Sequence, residues 1–165
     1  MSTKKNIEYL KMVQEYQKNL ELAKKLTVAV GLPQEEVGGE VYGNGKTVTE
    51  IGAIHEFGSP EQGIPSRSFL RVPFKKNEKD LSEFTNKQFR DILEKGADAK
   101  SAIEKVGIKF LSIVQLYFKS EGDGSWGARI VDVWEDGKKV KKNRGSLVDT
   151  GTLRQSLSYA VREGK

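Results

Sequence analysis

The chain has 165 residues, of which 36% are hydrophobic and 31% charged, with a formal net charge of +5 and no cysteine. This length is that of one domain with its own core, and the lack of cysteine excludes disulfides and thiolate metal sites. No apolar run approaches the ~20 residues that span a bilayer, so we expect no membrane partner. The basic start lacks the apolar run of a signal peptide, which predicts a cytoplasmic protein.

The first half of the chain predicts two helices separated by a strand. Apolar residues recur at helical spacing from about Asn6 to Lys24, and the residues from Leu26 to Leu32 alternate as in a strand. Thr47, with Glu50 three residues later, has the form of a capping box and should begin a short helix. Glycine and proline in the stretch 58–63 should end that helix.

The second half predicts two long helices, a hairpin and a closing helix and strand. One helix should begin between about Ser68 and Val72 and run to about Lys95, and the next should run from about Ala99 to Lys119, as an antiparallel pair lying on a sheet. Asp136-Gly137 between β-prone flanks predicts a hairpin turn. A short helix over Thr152–Leu157 and a strand should then follow. The expected fold is a single α+β domain over residues 1–165, with an N-terminal helix and an antiparallel or mixed sheet.

Two segments far apart in the chain form motifs. The first covers residues 52–58, Gly-Ala-Ile-His-Glu-Phe-Gly, and continues into residues 64–71, Ile-Pro-Ser-Arg-Ser-Phe-Leu-Arg. The second, residues 147–157, reads Leu-Val-Asp-Thr-Gly-Thr-Leu-Arg-Gln-Ser-Leu. In their residues, their order and their separation, these two segments resemble the corresponding segments of the morphogenesis proteins that complete the tail or neck of tailed bacteriophages and prophages. Ser68 departs from the pattern, since such proteins often have proline there.

The resemblance implies a structural virion protein and not an enzyme. Such a protein completes the tail or neck and joins the head connector to the tail tube as a homo-oligomeric ring, for which sixfold symmetry is the first expectation. Its implied partners are head-connector proteins and tail-tube or tail-terminator proteins, with genomic DNA passing through the ring. It would be assembled in the cytoplasm of the bacterial host and would reside in the virion.

Most candidate interface residues lie in the first motif. They are His55, Phe57, Arg67, Phe69, Leu70 and Arg71, together with Trp134 on the predicted hairpin. Phe69 and Leu70 could insert into a groove on a neighbouring subunit while the flanking arginines bind carboxylates there. In the alternative hypothesis, which has equal weight, the two apolar side chains seat the start of a long helix in the core of their own chain.

Several short sequences partly match known catalytic or binding motifs. The Asp149-Thr150-Gly151 signature of an aspartic protease stands too close to the chain end for a protease lobe, so we interpret Asp149 and Thr150 as caps of the following helix. A phosphate-binding loop would need glycine where the chain has Glu40. His55, the single histidine, lacks the second histidine of a zinc motif. We therefore expect no catalytic residue, no cofactor and no metal.

A basic run occupies the second arm of the predicted hairpin and its exit: Lys138, Lys139, Lys141, Lys142 and Arg144. One hypothesis is that it contacts DNA phosphates or an acidic face of a neighbouring subunit. The other, which we favour, is a solvated edge strand whose lysines prevent unwanted strand pairing. The same run supports the second hypothesis for the whole chain, a small basic nucleic-acid-binding module.

Overall fold

The computed structural model describes residues 3–33, 45–127, 129–144 and 151–164, with the backbone alone at residues 3–4, 129–132 and 142–144. The α+β fold class is confirmed. In chain order the elements are α1 (Thr3–Lys25), β1 (Leu26–Gly31), α2 (Val48–Phe57), α3 (Arg71–Lys76), α4 (Glu78–Lys95), α5 (Ala99–Lys119), β2 (Arg129–Glu135), β3 (Lys138–Arg144), α6 (Thr152–Gln155) and β4 (Ser158–Glu163).

The described strands form two antiparallel pairs, β1 with β4 and β2 with β3, where we had expected one sheet. Lys25 lies next to the end of the chain in the first pair, because its carbonyl accepts a 2.7 Å hydrogen bond from the Gly164 amide. None of the helices in the described ranges is both long and apolar enough to cross a membrane.

The chain divides into two compact units. Among the described residues, the first unit takes those up to Ala29, Glu78–Phe110 and those from Tyr159, and the second takes Val30–Asn77 and Leu111–Ser158. Because segments of the two units alternate along the chain, no single cut in the sequence separates them.

The core of the first unit is built on aliphatic side chains of three helices, among which alanine is frequent. Ala23 of α1, Ile92 of α4 and Ala99 of α5 are buried together in one cluster. Asn19 ties α1 to the turn that joins α4 and α5, since its side-chain amide donates to the Ala97 carbonyl at 2.8 Å and its Oδ1 accepts from the Ala99 amide at 2.9 Å. Alanine at these positions lets the helices approach closely enough for both bonds.

The second unit has an aromatic core. Phe69 is fully buried, and its ring centroid lies 4.9 Å from that of Phe118 on α5. Trp126 packs edge-on against Phe118 at 5.4 Å and against Tyr117 at 5.5 Å. Aromatic pairs at these separations contribute about 0.5–1.5 kcal/mol beyond the area that they bury. This cluster therefore anchors the segment that leads into α3.

The prediction of one continuous helix that begins between Ser68 and Val72 and runs to Lys95 is wrong. The structure has two helices, α3 and α4, with a break at Asn77 (φ −112°, ψ 14°). The Asn77 amide donates to the carbonyls of both Pro73 and Phe74 at 3.1 Å, and its side-chain amide donates to Pro73 at 2.8 Å. Asparagine competes for backbone acceptors in this way, which tightens the last turn of α3 and ends it.

The hairpin of β2 and β3 is confirmed. Asp136 and Gly137 both have positive φ angles, 51° and 75°, as in the type I′ turn that matches the twist of two antiparallel strands. The register places Val133 opposite Val140 and Trp134 opposite Lys139. The local turn signal was sufficient here because both central residues tolerate this backbone conformation.

Candidate functional site

The first motif is organised around a buried carboxylate, that of Glu56, which is 4% exposed. It accepts hydrogen bonds from the Ser68 hydroxyl at 2.5 Å, from the Leu70 amide at 2.9 Å and from the Arg71 amide at 3.2 Å. The Arg71 Nε donates to the same carboxylate at 2.8 Å, and its Nη2 donates to the Glu56 carbonyl at 3.0 Å. We call this arrangement of Glu56, Ser68, Leu70 and Arg71 the Glu56 junction.

The junction meets the physical requirement for a buried charge, which must be both paired and hydrogen-bonded. Two of its donors are backbone amides at the start of α3, so Glu56 also satisfies groups that the helix cannot satisfy by itself. The Arg71 side chain is 61% exposed while it forms the ion pair. Its guanidinium carbon lies 4.5 Å from the ring centroid of Phe57, and this ring is itself exposed.

Helix α2 presents Glu56 to the junction, and both ends of α2 have strong local signals. The predicted capping box at its start is confirmed: the Thr47 hydroxyl accepts from the Glu50 amide at 3.2 Å, and the Glu50 carboxylate accepts from the Thr47 amide at 2.8 Å. The Thr47 amide and hydroxyl both donate to that carboxylate and hold the pKa of Glu50 below its ordinary value. The capping box therefore sets where α2 begins.

Gly58 ends α2 and turns the chain toward the junction. Its φ is +81°, and a Cβ atom built on it would lie 2.9 Å from the Ser66 amide nitrogen. A side chain there would collide with backbone, which explains why the Glu-Phe-Gly motif needs glycine at its third position. Beyond this turn the Arg67 amide donates to the His55 carbonyl at 2.6 Å.

The second motif lies against the first. Leu153 of α6 is buried, and its Cδ1 is 3.4 Å from the place that a Cβ on Gly52 would take. Leu32 lies against the same glycine, since its Cδ1 is 2.3 Å from that place. Any side chain at position 52 would thus displace Leu32. The absence of a side chain on Gly52 lets α2, α6 and the end of β1 pack together.

The structure separates the candidate interface residues by exposure. Phe69 is fully buried in this conformation, which is what the intramolecular hypothesis expects. His55, Arg67 and Leu70 are half-buried. By contrast, Phe57 and Trp134 are 64% and 69% exposed. The sequence left both hypotheses for Phe69 open because its burial depends on Phe118, 49 positions further along the chain.

The basic run lies on an exposed arm. Lys138, Lys139 and Lys141 are all exposed, as are Trp134 and Val140. The side chains of two further members of the run, at positions 142 and 144, lie outside the described residues.

The predicted helix caps Asp149 and Thr150 also lie outside the described residues. Gly151, with a φ of +73°, directly precedes α6.

Within the described parts of the chain, no group of three or more histidine, aspartate or glutamate side chains lies close enough together to hold a metal ion. Comparisons with protein-family models, with curated proteins and with solved structures find no match to this chain.

Sequence reasoning missed Glu56, although it is the acidic member of the first motif. The neighbouring His55 is of a residue type that is more often associated with chemistry. A signal was present, since Glu56 is a carboxylate between two apolar residues, Ile54 and Phe57, near the end of a helix. A buried charge in such a position is expected to be paired. Arg71 follows after a stretch that contains turn-forming glycines, so the chain can bring it back to Glu56.

Proposed function

We propose that the protein is a structural virion protein of a tailed bacteriophage or prophage, which completes the tail or neck as a subunit of a homo-oligomeric ring. The observation that supports this proposal is the convergence of the motif segments on one architectural arrangement. Glu56 bonds the 68–71 segment, Gly58 permits the turn between them, and Leu153 of the second motif packs on α2. The residues that carry the family resemblance thus act together in building one unit.

The surface supports an assembly role for the protein. Large apolar side chains are exposed in many places, and four of them lie close together in the first half of α1. Exposed apolar patches of this kind mark surfaces that partners cover. The exposed set among the described residues comprises Ile7, Tyr9, Leu10, Met12, Phe57, Val72, Phe74, Phe89, Leu93, Ile108, Leu116, Trp134 and Val140. Subunits of a ring that also contacts proteins above and below it would bury such surfaces.

In this function the protein acts through non-covalent contacts with copies of itself and with neighbouring virion proteins. The ring would lie between the head connector and the tail tube, contacting connector proteins on one side and tail-tube or tail-terminator proteins on the other. A single head-to-tail contact, repeated until the rotation closes, is sufficient to make such a ring. Genomic DNA would pass through its centre, and the finished protein would reside in the virion.

A second candidate, a nucleic-acid-binding module, is favoured by one observation. The described lysines of the basic run, Lys138, Lys139 and Lys141, are exposed on the hairpin, where they could reach DNA phosphates. Removing their charges would weaken duplex DNA binding and flatten its dependence on salt if this function were correct. Unchanged DNA affinity at low salt would eliminate the second candidate.

Deletion of the gene tests the main proposal. A phage or prophage without the protein should produce filled heads and free tails, or tails with abnormal ends, at unchanged levels of the other virion proteins. Electron microscopy of lysates and a plaque assay measure both outcomes, and expression of the wild-type protein in trans should restore infectious particles. A deletion strain that yields normal infectious particles would refute the proposed function.

A further inference from the structure

A groove of about 750 Å³ opens in the first unit, along α1 and the turn between α4 and α5. Its apolar lining comes from α1 and its acidic lining from both sides of the groove. The residues that give it this character are Tyr9, Met12, Tyr16, Glu15, Glu94 and Asp98. Tyr9 and Met12 are 63% and 60% exposed, so the apolar lining is accessible from solvent.

The walls of this groove are held together by hydrogen bonds. The Tyr16 hydroxyl donates to the Leu93 carbonyl, and Asn19 forms its two bonds with the backbone of Ala97 and Ala99. A groove whose sides are tied in this way is already formed before a ligand binds, which lowers the entropic cost of binding.

The groove is also negative. Among the described residues that line it, Lys95 is the one cation, and its ammonium group is bonded to Asp91 at 2.5 Å. Asp98 accepts a hydrogen bond from the Ser101 amide at 2.7 Å, which holds the pKa of its carboxyl below the ordinary value. Neither Glu15 nor Glu94 forms an ion pair with another described residue. A basic group entering the groove would therefore meet carboxylates that are not already neutralised.

The β2–β3 hairpin offers a surface of the opposite charge. Trp134 stands directly opposite Lys139, and Lys141 lies two positions further along the same strand, so these three residues share one face. Asp132 is opposite Lys141 in the register and belongs to this face as well. Lys138 and Val140 belong to the other face. The first face thus combines an aromatic ring that is 69% exposed with two exposed lysines.

We infer that the Trp134 face of the hairpin of one copy docks into the α1 groove of a second copy. This inference rests on the proposed ring and names the contact that builds it. Trp134 would lie against the tyrosine and methionine side chains, and Lys139 and Lys141 would face the carboxylates. In the proposed ring this contact is head-to-tail: the hairpin of each copy occupies the groove of the next, and repetition closes the ring when the rotation permits.

Charge complementarity is what selects a second copy as the occupant. The chain itself supplies both a basic aromatic face and an acidic aromatic groove. A contact between like surfaces would be unfavourable, because two hairpins would bring lysines against lysines and two grooves would bring carboxylates against carboxylates. A two-stranded hairpin is also only marginally stable by itself, so it gains from being covered.

The test uses two charge-reversal variants whose defects should compensate each other. The hairpin variant carries Lys139→Glu and Lys141→Glu, and the groove variant carries Glu15→Lys and Glu94→Lys. We leave Asp98 unchanged because it bonds the first turn of α5. Self-association is measured by sedimentation velocity and native mass spectrometry over a wide protein concentration range at low salt, with circular dichroism to verify folding.

We expect the wild-type chain to self-associate and each variant alone to associate at least tenfold more weakly. An equimolar mixture of the two should recover the lost association, because acidic hairpins then meet basic grooves and basic hairpins meet acidic grooves. Recovery only on mixing identifies a contact between chains. A mixture that remains as weak as its components, or a wild-type chain that stays monomeric throughout, would overturn the inference.

A matched pair of single substitutions tests which face docks. Lys138→Glu and Lys139→Glu make the same change of charge at adjacent positions on opposite faces of the hairpin. Lys139→Glu should weaken self-association at least tenfold and Lys138→Glu much less. Equal effects on self-association would exclude docking through the Trp134 face.

Loss of duplex DNA binding by both variants with self-association intact would overturn the inference in favour of a nucleic-acid contact. Association by another surface would leave the tail-completion proposal standing, since gene deletion tests that separately.

Discussion

The Glu56 junction and the β2–β3 hairpin both hold charged residues, but their charges are placed in opposite environments. The Glu56 carboxylate is 4% exposed and accepts from three residues of its own chain. On the hairpin, every described side chain from Trp134 to Lys141 is exposed. A buried and fully bonded charge holds a fold in one conformation, whereas exposed charges contribute little to stability. The comparison predicts that substitutions in the two regions separate stability from assembly.

The largest effect on stability should come from the aromatic core next to the junction. Phe69→Ala removes a fully buried ring and should lower the free energy of unfolding by about 4 kcal/mol. Phe57→Ala removes a ring of the same type that is 64% exposed, and should cost about 1 kcal/mol or less. Urea unfolding of both variants measures the difference. Equal losses would mean that the burial of Phe69 does not support the fold.

Glu56→Ala should have the next largest effect. It leaves two backbone amides and the Ser68 hydroxyl without their acceptor and removes the partner of Arg71, at a cost of about 3 kcal/mol. Glu61→Ala, at an exposed position, is the matched control and should change stability by less than about 0.5 kcal/mol. If the two variants unfold at the same urea concentration, the junction does not stabilise the unit.

Glycine substitutions measure the turn that leads into the junction. Gly58→Ala introduces a Cβ 2.9 Å from the Ser66 amide nitrogen at a positive φ, and should cost about 2 kcal/mol. Gly63→Ala also has a positive φ but no atom within 4 Å of the new Cβ, so it should cost about 1 kcal/mol. Both variants place alanine at a positive φ, so the difference between their thermal unfolding measures the cost of the collision with Ser66. A smaller loss of stability for Gly58→Ala than for Gly63→Ala would contradict the turn geometry.

The smallest effect on stability should come from the hairpin. Trp134→Ala changes a side chain that is 69% exposed, and should alter the free energy of unfolding by about 0.5 kcal/mol or less. The same substitution should nevertheless reduce self-association and complementation of a deletion strain, because it removes the aromatic anchor of the proposed contact. A destabilisation as large as that of Phe69→Ala would show that Trp134 belongs to a core, and the contrast between the two regions would fail.

Elements with strong local signals were predicted closely. Helix α5 begins and ends at the predicted residues, Ala99 and Lys119, and the hairpin turn falls at Asp136-Gly137. The break at Asn77 was missed because helical periodicity continues across it, while the competing bonds come from the asparagine side chain itself. Pattern reasoning counts apolar positions and does not register this competition.

The sequence by itself determined most of the helices and strands, the capping box, the turn type and the family resemblance, because each depends on backbone preferences or on residue identity at short spacing. Tertiary structure decided which charges are buried and which surfaces are left open. It joined Glu56 to residues 12 to 15 positions away and placed Glu15 beside Glu94 and Asp98 in one groove. Burial and proximity result from the packing of distant segments, and no local pattern in the chain encodes them.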